Sequence, residues 1–569
     1  MRHYTIVRVA SKPCGLSLQY GRERSYEMKT TTLTLTNGTV IDGTGRAGFP
    51  GDVMIRGNFI EAVEAQGALR GKASNEIDCS GLVIAPGFID THSHSDLRVL
   101  IEPQLPMKVR QGITLEVFGQ DGLSVAPVRP DDREQVQRQL AGLDGRLDRE
   151  WDWQTVGEYL AAVERARPSI DCAYLIPHGA VRLHAMGMED RLASTDETMR
   201  MQDLIREGMR EGALGVSTGL IYPPCCFADT AELIELCRAV AEFDGVFVAH
   251  MRSESDYIED AVAEMIEVGK RSRARVHISH FKIAGRENWA RIDGVLDMVH
   301  RAQAEGVRLT ADQYPYVAGS TMLGAILPPW AHAGGVEATL ARFASVAERA
   351  RMRGVMLDRS RSTWDNFWKW SGPEGIIISD IPSGRHADYV GKSLAEAATV
   401  AGRASNGASE EAAAEFAFDL LAEERMGVGM ISFSQSEEVV KKIMREPYVN
   451  VCTDGLLGGK PHPRAYGTYP RILGRYAREQ NLITVEEAVR KMSGLAAETF
   501  RLKGYGRIEA GARANVVVFD AGRVTDCATF EDSKQYPLGI EYVIVEGEAM
   551  IEGGSQHKPG SGIAVRSSD

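Results

Sequence analysis

Hydrophobic and polar residues alternate in two short stretches near the start of the chain, TTTLTLTNGTVIDGTG (residues 30–45) and DVMIRGNFIEAV (52–63). A period of two broken by Asn-Gly and Asp-Gly predicts half-buried strands joined by tight turns. GRIEAGARANVVVFD (506–520) and IEYVIVEGEAMIEGG (540–554) repeat that texture near the other end, so the two ends are expected to pair into one small β domain. Between them, short apolar runs such as CAYLIP, GVFVAH, RVHISH, VRLTAD and YVNVCTD alternate with segments of helical period such as TAELIELCRAVAEFDG and YIEDAVAEMIEVGKRSR. That alternation is the pattern of right-handed βα units around a parallel sheet. The length available favours closure into a barrel of about 250 residues or more. An open nucleotide-binding sheet is disfavoured, because no G-x-G-x-x-G follows the first strand of a βα unit.

The rhythm breaks from about residue 333 to 429, where WDNFWKWSGPEG and EEAAAEFAFDLLAEE occur. Structureless loops of that length are rare in compact domains, so the segment predicts an inserted helical subdomain, late enough in the barrel to serve as a lid. The expected layout is an N-terminal extension at 1–28, a first β part at 29–86, the barrel with its insert at 87–501, and a second β part with a tail at 502–569.

Composition narrows the classes of function. The 569 residues are 44% hydrophobic and 25% charged, with 58 glycines and 22 prolines, which fits an ordinary soluble globular chain. A formal net charge of −13, with no long Lys/Arg run, argues against nucleic acid and anionic membranes as partners. No apolar run approaches the roughly 18 to 20 residues of a membrane span, and the N-terminus lacks the uninterrupted apolar region of a signal peptide. The eight cysteines show neither a disulfide framework nor C-x-x-C spacing. A cytoplasmic protein acting on a small molecule is expected, with a homo-oligomer left open.

Candidate chemistry begins in GFIDTHSHSD (87–96), where His92 and His94 stand two apart after an apolar run. On an extended chain such residues face one side, although an isolated His-x-His is more often a pair of loop residues. Four further residues change that balance. His250 closes GVFVAH, His280 closes RVHISH, Asp454 follows VNVCT, and Asp121 sits in EVFGQDG. Barrel active sites assemble at the C-terminal ends of strands, so all six are expected to converge. Neutral imidazoles and carboxylates suit Zn²⁺, and a catalytic site leaves one position open for water.

The chain resembles the amidohydrolase superfamily, and more closely its N-acyl-D-amino-acid deacylase (D-aminoacylase) branch. The resemblance is carried by APGFIDTHSHSDL, VRQGITLEVFGQDGLSVAP, HGAVRLHAMG, EGALGVSTGLIYPP, HMRSES, ISHFKIAG, TADQYPYVAGSTML, TDG, PHPRAYGTYPRILGRY and RIEAGARANVVVFD, in family order from about residue 30 to 550. It implies an α/β fold: a (β/α)8 TIM-like barrel that binds one or two Zn²⁺ ions, flanked by a small β-sandwich from both chain ends. His92 and His94 would hold one ion, His250 and His280 a second or principal one, and Asp454 would be the catalytic carboxylate, first general base and then general acid. The implied reaction is hydrolysis of the linear amide of an N-acyl-D-amino acid to a carboxylate and a free D-amino acid.

One departure stands out. Where that branch carries a metal-bridging cysteine in GNCG, this chain reads Gly119-Gln120-Asp121-Gly122. A carboxylate bridge keeps the negative charge but is harder, which tolerates Mn²⁺ or Co²⁺ better. Glu116 is the rival ligand; Asp121 is preferred because it occupies the matching position. Arg464 and Lys282 match family positions near the substrate carboxylate, for which a bidentate Arg is the strongest partner. Tyr314 and Ser320 would add hydroxyl contacts, Tyr314 alternatively polarising the carbonyl. Arg252 and Glu254 are expected to orient ligands, His178 and His184 to be structural, Cys225 and Cys226 to be loop residues, and His462 to line the pocket wall. Two other readings remain. A cyclic amidase of the hydantoinase or dihydroorotase kind would call for a bridging lysine, which position 121 lacks. A metal-free amidohydrolase-like scaffold is opposed by the joint presence of the histidines and Asp454.

Overall fold

The computed structural model describes residues 32–360, 362–403, 408–556 and 560–567; the expected extension at 1–28 lies outside them. Eight parallel strands form the centre: β1 (Phe88–Asp90), β2 (Ile113–Phe118), β3 (Asp171–Pro177), β4 (Gly215–Gly219), β5 (Val246–His250), β6 (Arg275–Ile278), β7 (Leu309–Gln313) and β8 (Val449–Val451). Each is hydrogen-bonded to the next in sequence order. Every residue of β2 to β5 is buried, as expected where a packed barrel interior lies on one side and helices on the other.

The outer helices start where the sequence provides caps. Ser194 and Glu197 form a capping box ahead of helix Thr195–Arg210, and Asp229 caps Thr230–Ala241, which satisfies N–H groups that have no partner within the helix. Helix Ile258–Ser272 buries Ala261, Val262, Met265 and Val268 along one stripe, at the spacing of a single helical face.

The barrel closes differently at its seam. β1 and β8 share no ladder; instead the backbone joins just beyond their ends, with Asp454 N–H donating to His92 O at 2.9 Å. Below that junction the fully buried Lys108 Nζ donates to Asp90 Oδ2 at 2.6 Å, to Ser93 Oγ at 2.6 Å and to Thr453 Oγ1 at 2.9 Å. Thr453 N–H donates to Asp90 Oδ1 at 2.8 Å. Burial works against the Lys108 charge, but Asp90 and Glu116 outweigh it and raise its pKa. A lysine clasp therefore ties the segment bearing His92 and His94 to the segment bearing Asp454.

Strands from both chain ends merge into one nine-stranded mixed sheet. The join is the antiparallel pairing of Val83–Pro86 with Val516–Phe519, Ile84 lying opposite Val518. Leu35, Val53, Ile84, Val516 and Ile544 form a separate core for this domain. Between β7 and β8 the chain builds a further body. Helices Gly335–Phe343, Val346–Met356, Phe367–Gly375, Leu394–Val400 and Glu410–Glu423 pack with a three-stranded antiparallel sheet of Ala318–Met322, Gly429–Phe433 and Ile376–Asp380. Two of those strands extend the insertion beyond the segment that reads as helical in sequence. Trp368, Phe418, Leu421 and Met430 give it a core of its own.

Candidate metal and substrate site

His92, His94, Asp121, His250, His280 and Asp454 meet at the C-terminal mouth of the barrel. Three overlapping trios, His92 with His94 and Asp121, Asp121 with His250 and His280, and His92 with His280 and Asp454, each hold their ligand atoms within 4.8 Å of one another. Asp121 is central: its Oδ1 lies 3.6 Å from both His92 Nε2 and His280 Nε2, and its Oδ2 lies 3.6 Å from His94 Nε2 and 3.8 Å from His250 Nδ1. These separations are long for hydrogen bonds but near the ~3.3 Å expected between two ligands of one tetrahedral zinc. His92 Nδ1 and Nε2, both ring nitrogens of His250, and Asp121 Oδ1 are buried without a hydrogen-bond partner. Buried polar groups in a native fold are normally satisfied, so this donor set fits one or two divalent ions.

Local backbone aims these groups. Asp121, His280 and Asp454 have φ of 56°, 33° and 47°, a left-handed conformation uncommon for residues other than glycine and enriched at functional sites. Each follows a barrel strand, where the reversal turns the side chain back over the mouth. Gly119, also left-handed with φ 77°, brings its own backbone against the carbonyl of Leu175 where a Cβ would collide.

The field at the mouth is that of a cation site. Burial would lower the His94 pKa, yet the neighbouring carboxylates of Asp121 and Asp454 push it up to about 10. His280 is likewise driven to about 9, with Glu254, Asp121 and Asp454 overcoming burial and the neighbouring Lys282 charge. Asp454 stays well below the usual carboxylate range, because Arg464 first, then His280 and His94, outweigh its burial. Asp454 is therefore ionised at neutral pH.

Lys282, Tyr314, Ser320 and Arg464 line the same cavity, of about 40 Å³. Arg464 Nη1 lies 2.9 Å from Asp454 Oδ2, and its Nη2 donates to Ser320 O at 2.9 Å. Neither Nε nor Nη1 makes an aligned hydrogen bond, although both are buried; the Nη1 contact is an ion pair without hydrogen-bond geometry. Arg464 and Lys282 also sit over the Tyr314 ring at 4.3 Å and 5.6 Å. Lys282 Nζ lies 2.6 Å from Glu254 Oε1 and 2.7 Å from His280 Nδ1. Gln435 Nε2 donates to the Tyr314 hydroxyl oxygen at 2.9 Å. The Ser320 hydroxyl is turned away, donating to Met430 O at 2.8 Å.

The other candidates separate clearly. Glu116 faces the Lys108 clasp at 3.3 Å and belongs to none of the metal-directed trios. Glu254 contacts His280 Nδ1 at 3.1 Å, whereas Arg252 turns outward to Glu264. His178 is held by Thr218 and Glu232, each at 2.9 Å. His184 lines a separate surface cleft. Cys225 is buried near Gly122, and Cys226 lies in another cavity. His462 Nδ1 accepts from Arg464 N–H at 3.0 Å, which holds the start of helix Arg464–Arg471.

Several supporting residues escape sequence reasoning. Asp312 accepts from Thr91 Oγ1 at 2.9 Å and pairs with His277 at 3.0 Å, while also receiving the His280 backbone N–H. Asp365, from the insert, accepts from Ser253 Oγ and Glu254 N–H at 2.8 Å and from Ser255 Oγ at 2.7 Å. The position of Asp312 at the end of β7 was the one available signal; Asp365 and Lys108 had none.

The sequence pattern of the amidohydrolase family matches residues 75–551. A D-aminoacylase of Alcaligenes xylosoxydans xylosoxydans is 33% identical over 519 residues, covering 90% of this chain and 93% of that protein. An N-acyl-D-glutamate deacylase of the same organism is 34% identical over 532 residues, covering 93% and 95%. Among solved structures, the N-acyl-D-glutamate deacylase of Bordetella bronchiseptica, complexed with zinc and a phosphonate mimic of the tetrahedral intermediate, aligns with a TM-score of 0.77 at 32% identity, covering 94% of this chain and 99% of that one.

Proposed function

The chain belongs to the amidohydrolase family, and from that premise we propose that it is a zinc-dependent deacylase, hydrolysing the linear amide of N-acyl-D-amino acids to a carboxylate and a free D-amino acid. Relatives that bear deacylase names over nine-tenths of the chain support this reading. The observation that carries it is the pairing, in one buried cavity, of the histidine and aspartate cluster with an arginine whose Nε and Nη1 lack hydrogen-bond partners.

His92, His94, Asp121, His250 and His280 would hold the metal, with Asp121 as the shared ligand in place of a thiolate. When bound, the ion supplies Lewis-acid polarisation of the scissile carbonyl and acidifies water. Asp454, kept ionised by Arg464, takes the proton of the attacking water and delivers it to the leaving amine nitrogen. Arg464 and Lys282 receive the α-carboxylate, and a guanidinium offers two parallel N–H groups for it. Accepting substrate requires Arg464 to share its charge between that carboxylate and Asp454. Tyr314 packs beneath both cations and fixes their direction. Glu254 holds His280 through Nδ1, which leaves Nε2 for the metal. Ser320 contributes through its backbone carbonyl on Arg464, and through its hydroxyl only after a rotamer change.

No helix among the described residues is long and apolar enough to cross a membrane, and the described cysteines are free, which supports a cytoplasmic location. The test joins metal analysis of the purified protein to a panel of N-acetyl-D- and L-amino acids, hydantoin and dihydroorotate. We expect bound zinc and turnover of the D-series. Absence of metal and of turnover across the panel would sink the proposal, and hydrolysis of the cyclic amides alone would replace it with a cyclic amidase.

A further inference from the structure

Interior positions of a barrel strand are ordinarily filled by branched apolar side chains. β4 departs from that rule. Its register sets Gly215 beside Val246, Ser217 beside Val248 and Gly219 beside His250, and side chains level with each other across a parallel ladder share a face. The run Gly-Val-Ser-Thr-Gly therefore turns its three smallest residues inward, and all five are buried.

The space so left is taken by the loop Gly119–Gly122, which carries Asp121. Ser217 Oγ accepts from Gly122 N–H at 3.0 Å and donates to Gly119 O, so one hydroxyl joins both ends of the loop. A Cβ at Gly219 would collide with Asp121 O, and one at Gly122 would lie 2.7 Å from Cys225 Sγ. On the other side, Gly119 N–H donates to Asp96 Oδ1 at 2.9 Å, and Gln120 Nε2 donates to Thr91 O at 2.8 Å and to Val117 O at 3.1 Å. Gly119, Asp121 and Gly122 have φ of 77°, 56° and 67°. An aspartate persists in that left-handed conformation where its surroundings over-determine it, and Ser217 supplies two of the contacts that do so.

Gly-x-Ser-x-Gly is also the spacing of a serine nucleophile exposed on a strand-to-helix turn. Ser217 does not fit that role: it lies inside β4, is fully buried, and commits its hydrogen to Gly119 O.

We propose that Ser217 is a positioning residue for the metal centre: it holds the Gly119–Gly122 loop in the arrangement that turns the Asp121 carboxylate toward His92, His94, His250 and His280, and so sets how tightly zinc is held. It acts through the loop backbone rather than on the ion. The inference rests on the reading of Asp121 as a metal ligand and goes further by naming what fixes that ligand.

Zinc-free full-length protein is titrated with zinc against a chromophoric chelator, which reads affinity without turnover. Ser217→Ala should weaken zinc binding by about 10- to 100-fold, the usual cost of removing a group that orients a ligand. Gly219→Ala, which presses on Asp121 O from the same strand, should weaken it in the same direction. Thr218→Val removes an equally buried hydroxyl from the opposite face of β4, where it pairs with His178 Nδ1 at 2.9 Å, and should leave zinc affinity at the wild-type value. Asp121→Ala marks the loss of the ligand itself, and thermal melting confirms that each variant is folded. Wild-type affinity in folded Ser217→Ala and Gly219→Ala while Asp121→Ala is weakened, or an equal weakening in Thr218→Val, would overturn the inference and leave the ligand reading standing. Wild-type affinity in Asp121→Ala would instead remove Asp121 from the metal and overturn the reading beneath it.

Discussion

The metal-directed cluster and an adjoining apolar chamber of about 170 Å³, whose cavities share the Tyr222 and Phe367 side chains, are built on opposite principles. The cluster draws on barrel strand ends, where buried histidines and carboxylates lie close together, several without hydrogen-bond partners and three of them, Asp121, His280 and Asp454, on left-handed backbone. The chamber draws on loops and the insert, with apolar walls and ionisable groups that are already bonded. One region holds polar groups ready for a ligand, and the other has little polar affinity to offer. Chemistry requires a fixed electrostatic field that needs no reorganisation during reaction. Placing the two regions on separate structural bodies allows the second to vary without disturbing the first.

The difference is broken most severely at Asp454. Asp454→Asn should lower kcat by about 10²- to 10⁴-fold, the usual contribution of a general base, while metal content measured by elemental analysis stays nearly intact. Turnover near wild type would remove Asp454 from the proton path. No single substitution in the chamber wall should approach that loss on N-acetyl-D-alanine.

The clasp beneath the cluster is the next point of attack. Lys108→Met leaves Asp90 and Glu116 buried without their cation, and breaking a buried ion pair from one side costs about 3–5 kcal/mol. Chemical denaturation should show that loss. A change under about 1 kcal/mol, the scale of a surface pair, would mean that the backbone junction of His92 and Asp454 closes the barrel without help.

Arg464→Lys sharpens the boundary between chemistry and recognition. Loss of the guanidinium fork should raise KM for N-acyl-D-amino acids by about 10- to 100-fold, the range of a charged hydrogen bond. An N-acyl amine lacking the α-carboxylate should show no such rise; an equal effect on both would place Arg464 outside carboxylate recognition.

A pH-dependent effect is expected at Asp365, which lines the larger cavity and accepts from the Glu254 N–H beside the cluster. Burial, and then the Glu254 charge, raise its pKa from 3.8 to about 7. The folded state thus holds a proton that the unfolded chain releases at lower pH, so this residue's stabilising contribution is full below pH 3.8 and is lost as pH rises to about 7. Asp365→Asn should flatten the stability profile across that window. An unchanged slope would show that Asp365 does not titrate there.

Much of this architecture is legible along the chain. The alternating ends, the βα rhythm and the strand-terminal positions of His92, His250, His280 and Asp454 are local patterns, because side-chain direction in a strand repeats every two residues and barrel chemistry gathers where strands stop. The insert was visible as a break in rhythm, but its sheet was not, since its strands pair across distances such as that between Ser320 and Ile431.

The sequence by itself determined which residue types end which strands, and hence which groups were available for a metal. Only the tertiary structure separates the surroundings of Asp121 and Glu116, because Lys108, 18 residues from Asp90, 15 from Ser93 and 345 from Thr453, engages Glu116 while Asp121 faces four imidazoles. It also turned the Ser320 hydroxyl aside, paired Arg252 with Glu264, and hollowed out the apolar chamber. These outcomes depend on which side chains occupy each other's hydrogen-bonding positions once the barrel closes, and competition of that kind exists only between groups brought together in space.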